Sequence, residues 1–217
     1  MKQDYLWGID LGGTKIECAV LSAQDLTQVI ARERIDTEAS KGYEHIISQV
    51  ARLVSRVSDQ LGVTPRRIGF ATPGVLNPAT QTMKNCNTTS MNGRPMAADL
   101  AKALGVEVRL ANDANCFALA ETLMGAVQEV NPNAEVVFGI IMGTGVGGGL
   151  VVHGQVINGL NGIGGEWGHN ILEEGGKPCY CGKSGCVEHV ISGPALEEYY
   201  EAVSGQKLRM PQILQGH

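Results

Sequence analysis

Tyr5-Leu-Trp-Gly-Ile-Asp10-Leu-Gly-Gly-Thr-Lys15-Ile-Glu-Cys-Ala-Val-Leu21 is the stretch on which the fold turns. Two apolar runs, Tyr5–Asp10 and Lys15–Leu21, flank Gly12, Gly13 and Thr14, so the segment reads strand, turn, strand. Glycines at such a turn let backbone N–H groups approach phosphate oxygens, and Thr14 adds a hydroxyl donor. Asp10, at the end of its strand, is placed to hold a hydrated Mg2+. A Walker A loop is a different object, since it needs Gly-Lys-Ser/Thr opening a helix. An ordinary tight hairpin is the plainer alternative for this segment alone.

The pattern returns in the second half. Val136–Met142 is an apolar strand, Gly143-Thr144-Gly145-Val146-Gly147-Gly148-Gly149 a glycine loop, and Leu150–His153 with Gln155–Ile157 a hairpin. The loop satisfies Gly-x-Gly-x-x-Gly. A dinucleotide fingerprint, however, requires a helix directly afterwards and an acidic residue about twenty positions on. Strands follow here instead, and position 168 is glycine. Two strand-turn-strand phosphate loops, one opening each half, fit a nucleotide held by two α/β domains. The break falls near 112–135, dividing 1–112 from 113–217. The second half lacks the later strands and helices that would complete it, so we expect the chain to be part of a longer protein.

Between these landmarks Val29–Ile35 reads as a third strand and Tyr43–Leu61 as a helix. Ile46, Ile47, Val50, Leu53, Val54, Val57 and Leu61 recur there at helical spacing, and Gly62 ends it. Further strands fall at Arg67–Ala71 and Val106–Ala111, and further helices at Pro95–Leu104, Asp113–Gly125 and from about Pro194 to Val203. The whole is an α/β pattern.

Composition narrows the partners. A formal net charge of -5 offers no basic footprint for nucleic acid or anionic membrane. No apolar run is long enough to span a bilayer, and the N-terminal MKQDYLWGID lacks the pattern of a signal peptide. The 29 glycines cluster at 12–13, 143–149 and 159–168 rather than spreading as linker, which marks places where the backbone must come close to something.

Residues 166–188 run Glu166-Trp-Gly-His169, then Cys179-Tyr-Cys181-Gly-Lys-Ser-Gly-Cys186-Val-Glu188. The spacing His-x9-Cys-x-Cys-x4-Cys brings four donors from one loop, the set that closes a tetrahedral structural Zn2+ site. Cys179 and Cys181 are too close to bridge each other without strain. Glu166 and Glu188 then stand just outside the metal shell, suited to gripping a polyhydroxy ligand. Cys18, Cys86 and Cys116 sit in apolar or small-residue surroundings and read as core thiols, which fits a reducing cytoplasm.

Ala111-Asn112-Asp113-Ala114-Asn115-Cys116 joins a strand to a helix. Asn and Asp are favoured N-caps, and that role would suffice for them. The carboxyl end of a strand in an α/β sheet is also where ligands bind, and a carboxylate there can take a proton from an attacking hydroxyl.

Taken in order, these motifs resemble the ROK family of sugar kinases and related repressors over roughly residues 5–204. Asp10-Leu-Gly-Gly-Thr-Lys15 and Gly143–Gly149 match the two phosphate motifs, Asn112-Asp113-Ala-Asn-Cys116 the base motif, Gly165-Glu166-Trp-Gly-His169 the sugar motif, and Cys179-x-Cys181-Gly-x-x-Gly-Cys186-x-Glu188 the zinc motif. The resemblance implies the actin-like, hexokinase-like ATPase fold: two RNase-H-like lobes with a cleft, the second incomplete in this chain. It implies that Asp113 is the general base and that Gly74, Asn87, Asn112, Glu166, His169 and Glu188 contact the sugar. Asp10, Gly12, Gly13, Thr14, Lys15, Gly143, Thr144 and Gly145 would hold Mg-ATP, and His169, Cys179, Cys181 and Cys186 the zinc. His169 would serve zinc with one nitrogen and sugar with the other. A homodimer is the family habit, and family members continue past residue 217 into the part that supplies the adenosine pocket.

A repressor would need a helix-turn-helix before the first strand, and a noncatalytic sugar binder has no need of Asp113 or of two phosphate loops. The expected activity is therefore phosphorylation of a hexose at its primary hydroxyl. Lys84–Gly93 and Glu166–Asn170 look most like bacterial fructokinases and manno(fructo)kinases, which makes a free hexose, fructose foremost, the expected substrate. Asn112–Leu119 is equally at home in N-acetylglucosamine kinases, so an N-acetylhexosamine kinase or a glucokinase is the alternative. In the loop 87–93, Met91 is the one evident apolar candidate to receive an acetamido methyl.

Overall fold

The computed structural model describes residues 4–216 and divides into two compact units, one running to Cys116 and taking in Leu160–Gly162, the other comprising Phe117–Gly159 and the residues from Ile163 onward.

In the first unit β1 (Tyr5–Leu11), β2 (Lys15–Ser22) and β3 (Val29–Asp36) form an antiparallel meander. Their inward positions are apolar: Trp7, Ile9 and Leu11 of β1 and Ile16, Cys18 and Val20 of β2 are buried in strict alternation. The helix α1 (Tyr43–Leu61) covers that face with Tyr43, Ile46, Val50, Leu53, Val54 and Val57. Each fully buried Leu or Ile side chain there contributes about 1.5–3 kcal/mol. Buried Gln49 on the same face donates from Nε2 to the Asp36 carbonyl at 2.8 Å, so it carries no unmet polar group into the core. Gly62, at φ 63°, ends the helix in the left-handed conformation that a β-carbon disfavours.

After β4 (Arg67–Thr72) comes a small hairpin, β5 (Val75–Leu76) with β6 (Met83–Lys84). The helix α2 (Met96–Leu104) and the strand β7 (Glu107–Asn112) follow. The sheet order is β3-β2-β1-β4-β7, with β1, β4 and β7 mutually parallel. On the face turned away from α1, the small residues Gly8, Ala19, Gly69, Ala71 and Ala111 line a groove of about 460 Å3 onto which Asp10 and Cys116 open.

The helix α3 (Asp113–Met124) passes from the first unit into the second. There α4 (Ala126–Val130) leads to an antiparallel sheet of order β10-β9-β8, built from β8 (Val136–Met142), β9 (Val146–Val152) and β10 (Gln155–Val156). The expected glycine loop 143–149 is thus shorter than its sequence implied: Gly147–Gly149 lie within β9. Gly148 is glycine because the segment 164–168 lies directly on that strand. A β-carbon on Gly148 would stand 2.6 Å from the Trp167 ring, and one on Gly168 only 1.9 Å from the Val146 carbonyl oxygen. Three short helices complete the unit: α5 (Glu188–Ile191), α6 (Gly193–Ser204) and α7 (Met210–Gln215). Among the described residues no helix is long and apolar enough to cross a membrane.

Candidate active site

Of the expected site residues, the first unit holds Asp10, Gly12 to Lys15, Gly74, Asn87, Asn112 and Asp113. Asp10 pairs with Ala71 on β4, and Thr72 with Asn112 on β7, so these groups share the carboxyl ends of three parallel neighbours. That edge is where open α/β sheets present ligands. Gly74 follows in a turn at φ 121°, and a β-carbon there would meet Cys86 Sγ and the Lys84 carbonyl oxygen, both at 2.7 Å. Its own carbonyl accepts from Asn112 Nδ2 at 3.5 Å. Asn87 is exposed, with Oδ1 accepting from the Thr88 amide at 2.9 Å.

Asn112 and Asp113 separate in role. Asn112 is buried, and its Oδ1 accepts from the Asn115 amide at 3.1 Å, which is the N-cap bond of α3. Asp113, the first residue of the helix, accepts a local bond from the Ala114 amide at 2.8 Å. Capping is therefore done by the asparagine. The Asp113 side chain remains partly open, yet burial of its carboxyl raises its pKa above the ordinary 3.8, and the Asp10 charge raises it further. Asp10 is itself raised, by burial first and then by Glu17, with Arg34 opposing. Two carboxyls of raised pKa at one strand-end edge, the second raised in part by the charge of the first, are a common mark of a working site.

The turn Gly12-Gly13-Thr14 is held from behind. Its Gly12 amide donates to the Lys15 carbonyl at 2.9 Å, and among the described residues no protein acceptor meets the amides of Gly13 and Thr14. Thr37 pins the turn: its Oγ1 donates to the Gly12 carbonyl at 2.7 Å and its amide to the Thr14 carbonyl at 2.9 Å. A fully buried hydroxyl that spends its donor this way leaves the turn little freedom. Thr37 was no candidate in the sequence. The signal was present in the pairing of Lys15 with Asp36, which carries the end of β3 to the turn.

The second unit holds Gly143, Thr144, Gly145, Glu166, His169, Glu188 and the three clustered cysteines. Gly143 and Gly145 close a turn through a 2.9 Å amide–carbonyl bond, and Glu188 Oε2 accepts from the Val146 amide at 3.1 Å. A β-carbon on Gly145 would lie 2.4 Å from that carboxylate oxygen, so a larger residue there would push the Glu188 side chain aside. Glu166 is half-buried at the start of the turn Trp167–His169, and Trp167 Nε1 donates to the Gly147 carbonyl at 3.1 Å.

The four expected metal donors converge. His169, Cys179, Cys181 and Cys186 offer ligand atoms that all lie within 4.8 Å of one another. Cys179 Sγ to His169 Nδ1 and Cys181 Sγ to Cys186 Sγ are both 3.6 Å. Around a tetrahedral zinc with ordinary bond lengths, neighbouring donors stand about 3.5–3.8 Å apart. The donor set and its spacing therefore fit zinc, with all four positions filled by protein.

The ROK family profile matches residues 6–216. An N-acetyl-D-glucosamine kinase of Pasteurella multocida is 37% identical over 220 residues, covering 96% of this chain and 70% of that protein. The enzyme of the same name from Vibrio cholerae is 36% identical over 218 residues, with the same coverage of 96% and 70%. Among solved structures, a ROK hexokinase from Thermus thermophilus matches with a TM-score of 0.78 at 32% identity, over 98% of this chain and 68% of that one. A ROK family glucokinase from Streptomyces griseus, in complex with glucose and AMPPNP, matches with a TM-score of 0.79 at 27% identity, over 93% and 62%. The chain belongs to the ROK family and has the actin-like, hexokinase-like ATPase fold. Its class is that of the sugar kinases, phosphotransferases with an alcohol group as acceptor.

Proposed function

We propose that the protein transfers the γ-phosphoryl group of ATP to the primary hydroxyl of an N-acetylhexosamine, N-acetyl-D-glucosamine foremost. The relatives sharing about a third of its sequence carry that sugar in their names, and they lend no support to fructose. The observation that carries the chemistry is Asp113, freed of capping by Asn112 and raised in pKa by burial and by Asp10. Met91 does not form the acetamido notch that the sequence suggested, because it is fully buried in the core of the first unit.

In this account the sugar hydroxyl attacks the γ-phosphorus, its proton passes to Asp113, and the bond to the departing ADP breaks. Phosphoryl transfer depends chiefly on positioning and charge stabilisation. The amides of Gly13 and Thr14, together with the turn Gly143–Gly145, meet phosphate oxygens, and Lys15 adds a cation nearby. Asp10 would hold Mg2+, which would supply charge neutralisation on the phosphates. The sugar contacts in this reading are Gly74, Asn87 and Asn112 of the first unit and Glu166, His169 and Glu188 of the second. Zinc at the four-donor cluster supplies structure alone, having no open position. A homodimer in a reducing cytoplasm, without nucleic acid or membrane, completes the proposal. It rests on the family habit and on the buried free thiols of Cys18 and Cys86.

Initial rates with fructose, mannose, glucose and N-acetyl-D-glucosamine test the substrate. The expected result is kcat/KM for the N-acetylated sugar at least about tenfold above fructose, since a site shaped for a polar substituent discriminates strongly against analogues lacking it. The reverse order restores the fructokinase expectation. The raised pKa of Asp113 adds a second expectation. A base must be ionised, so the acid limb of the kcat/KM profile should lie above the ordinary aspartate value of 3.8, with activity falling as pH drops through it.

A further inference from the structure

Tyr180 separates two of the cysteine donors in sequence, and its side chain is 69% exposed. Its ring meets the His169 imidazole edge-on, with centroids 5.1 Å apart at 88°, and its hydroxyl lies 3.1 Å from Nε2. The other ring nitrogen, Nδ1, faces Cys179 Sγ. One nitrogen of His169 thus belongs to the four-donor cluster, and the other is occupied by a phenol.

A histidine that binds metal through Nδ1 carries its proton on Nε2 and donates it outward. The phenol oxygen is then an acceptor, and a sugar hydroxyl is an acceptor of the same kind. The second carboxylate proposed to grip sugar in this unit, Glu188, lies beside the same phenol. The backbone under Tyr180 is fixed by a tight turn, with Cys179 N donating to the Lys183 carbonyl at 2.8 Å and Gly182 N to the Cys179 carbonyl at 3.0 Å. What can move is the exposed side chain, by rotation about its own bonds.

We propose that Tyr180 is a latch on the sugar site, its hydroxyl holding the place of a sugar hydroxyl on His169 Nε2 until the sugar displaces it. This deepens the assignment of His169 and Glu188 as sugar contacts and rests on it. One neutral hydrogen bond held in the free protein favours the closed arrangement about fivefold. Apparent sugar affinity falls by the same factor, because only the open fraction binds.

Calorimetric titration of the complete protein with N-acetyl-D-glucosamine, without ATP, tests this on three chains: the unaltered protein, Tyr180→Phe and Glu188→Gln. Zinc content and thermal midpoint are checked on each. Tyr180→Phe keeps the ring and removes the hydroxyl, so the expected result is a Kd about fivefold lower, alongside weaker binding for Glu188→Gln. If Glu188→Gln weakens binding while Tyr180→Phe leaves Kd unchanged or raises it, the sugar site stands and the latch is refuted; a raised Kd would make the phenol a direct sugar contact. If the unaltered protein binds no sugar, or Glu188→Gln has no effect, the sugar-contact assignment fails and the latch fails with it.

Discussion

Asp113→Asn should lower turnover by about 10²–10⁴ while sugar binding is retained, because an amide keeps the size and one acceptor but cannot take a proton. The stability of the variant separates catalysis from capping. A lost N-cap costs about 1 kcal/mol, but the cap of α3 is the Asn112 side chain, which this change leaves in place. The pKa of Asp113 is raised in the folded protein, so the stability it contributes is present below the ordinary 3.8 and is lost as pH rises through the raised value. At neutral pH the ionised carboxylate is thus a small cost to folding, and the amide relieves it. The expected outcome is a steep fall in kcat with a thermal midpoint unchanged or slightly higher. A variant with near-normal turnover and a lower midpoint would return Asp113 to a structural role.

Removing zinc should disorder the loop 169–186 and abolish sugar binding with it. Within that loop the apolar side chains give little anchorage: Ile171, Leu172 and Tyr180 are 58%, 56% and 69% exposed, whereas Cys179 and Cys186 are buried. Binding of a structural zinc releases about 10–16 kcal/mol, and in a loop with so little core that energy is folding energy. Glu188 stands two residues after Cys186 and accepts from the Val146 amide, so disorder should spread to the turn Gly143–Gly145. Hydrogen exchange over 143–188 on chelation, or in Cys181→Ser, is the measurement. Protection unchanged in both, with well under one zinc per chain by elemental analysis, would show that the cluster needs no metal.

Periodicity made the first unit readable. Strict alternation in β1 and β2, and a helical stripe closed by Gly62 in α1, left little choice of element, and β1, β2, β3 and α1 stand within a residue of their expected limits. The hairpin β5–β6 was not readable, because two-residue strands carry no period. Gly147–Gly149 misled for a different reason. These glycines lie in a strand, and Gly148 serves close contact with the segment 164–168 rather than a turn; composition alone does not distinguish the two. Asn112 and Asp113 were both legible as helix-start residues, but only the 3.1 Å bond to Asn115 says which of them caps. Met91 was read from local sequence as a possible notch, and tertiary packing put it in the core. Tyr180 carried no signal at all, since its meaning depends on the loop closing it onto His169.

The central claim is transfer of phosphate to a sugar hydroxyl with Asp113 as base. The direct measurement is mass spectrometry of products after the complete protein is incubated with Mg-ATP and N-acetyl-D-glucosamine, beside a reaction lacking sugar. The account predicts equal amounts of ADP and sugar 6-phosphate, formed only when the sugar is present. ADP released at the same rate without sugar, or no sugar phosphate with any hexose offered, would contradict it.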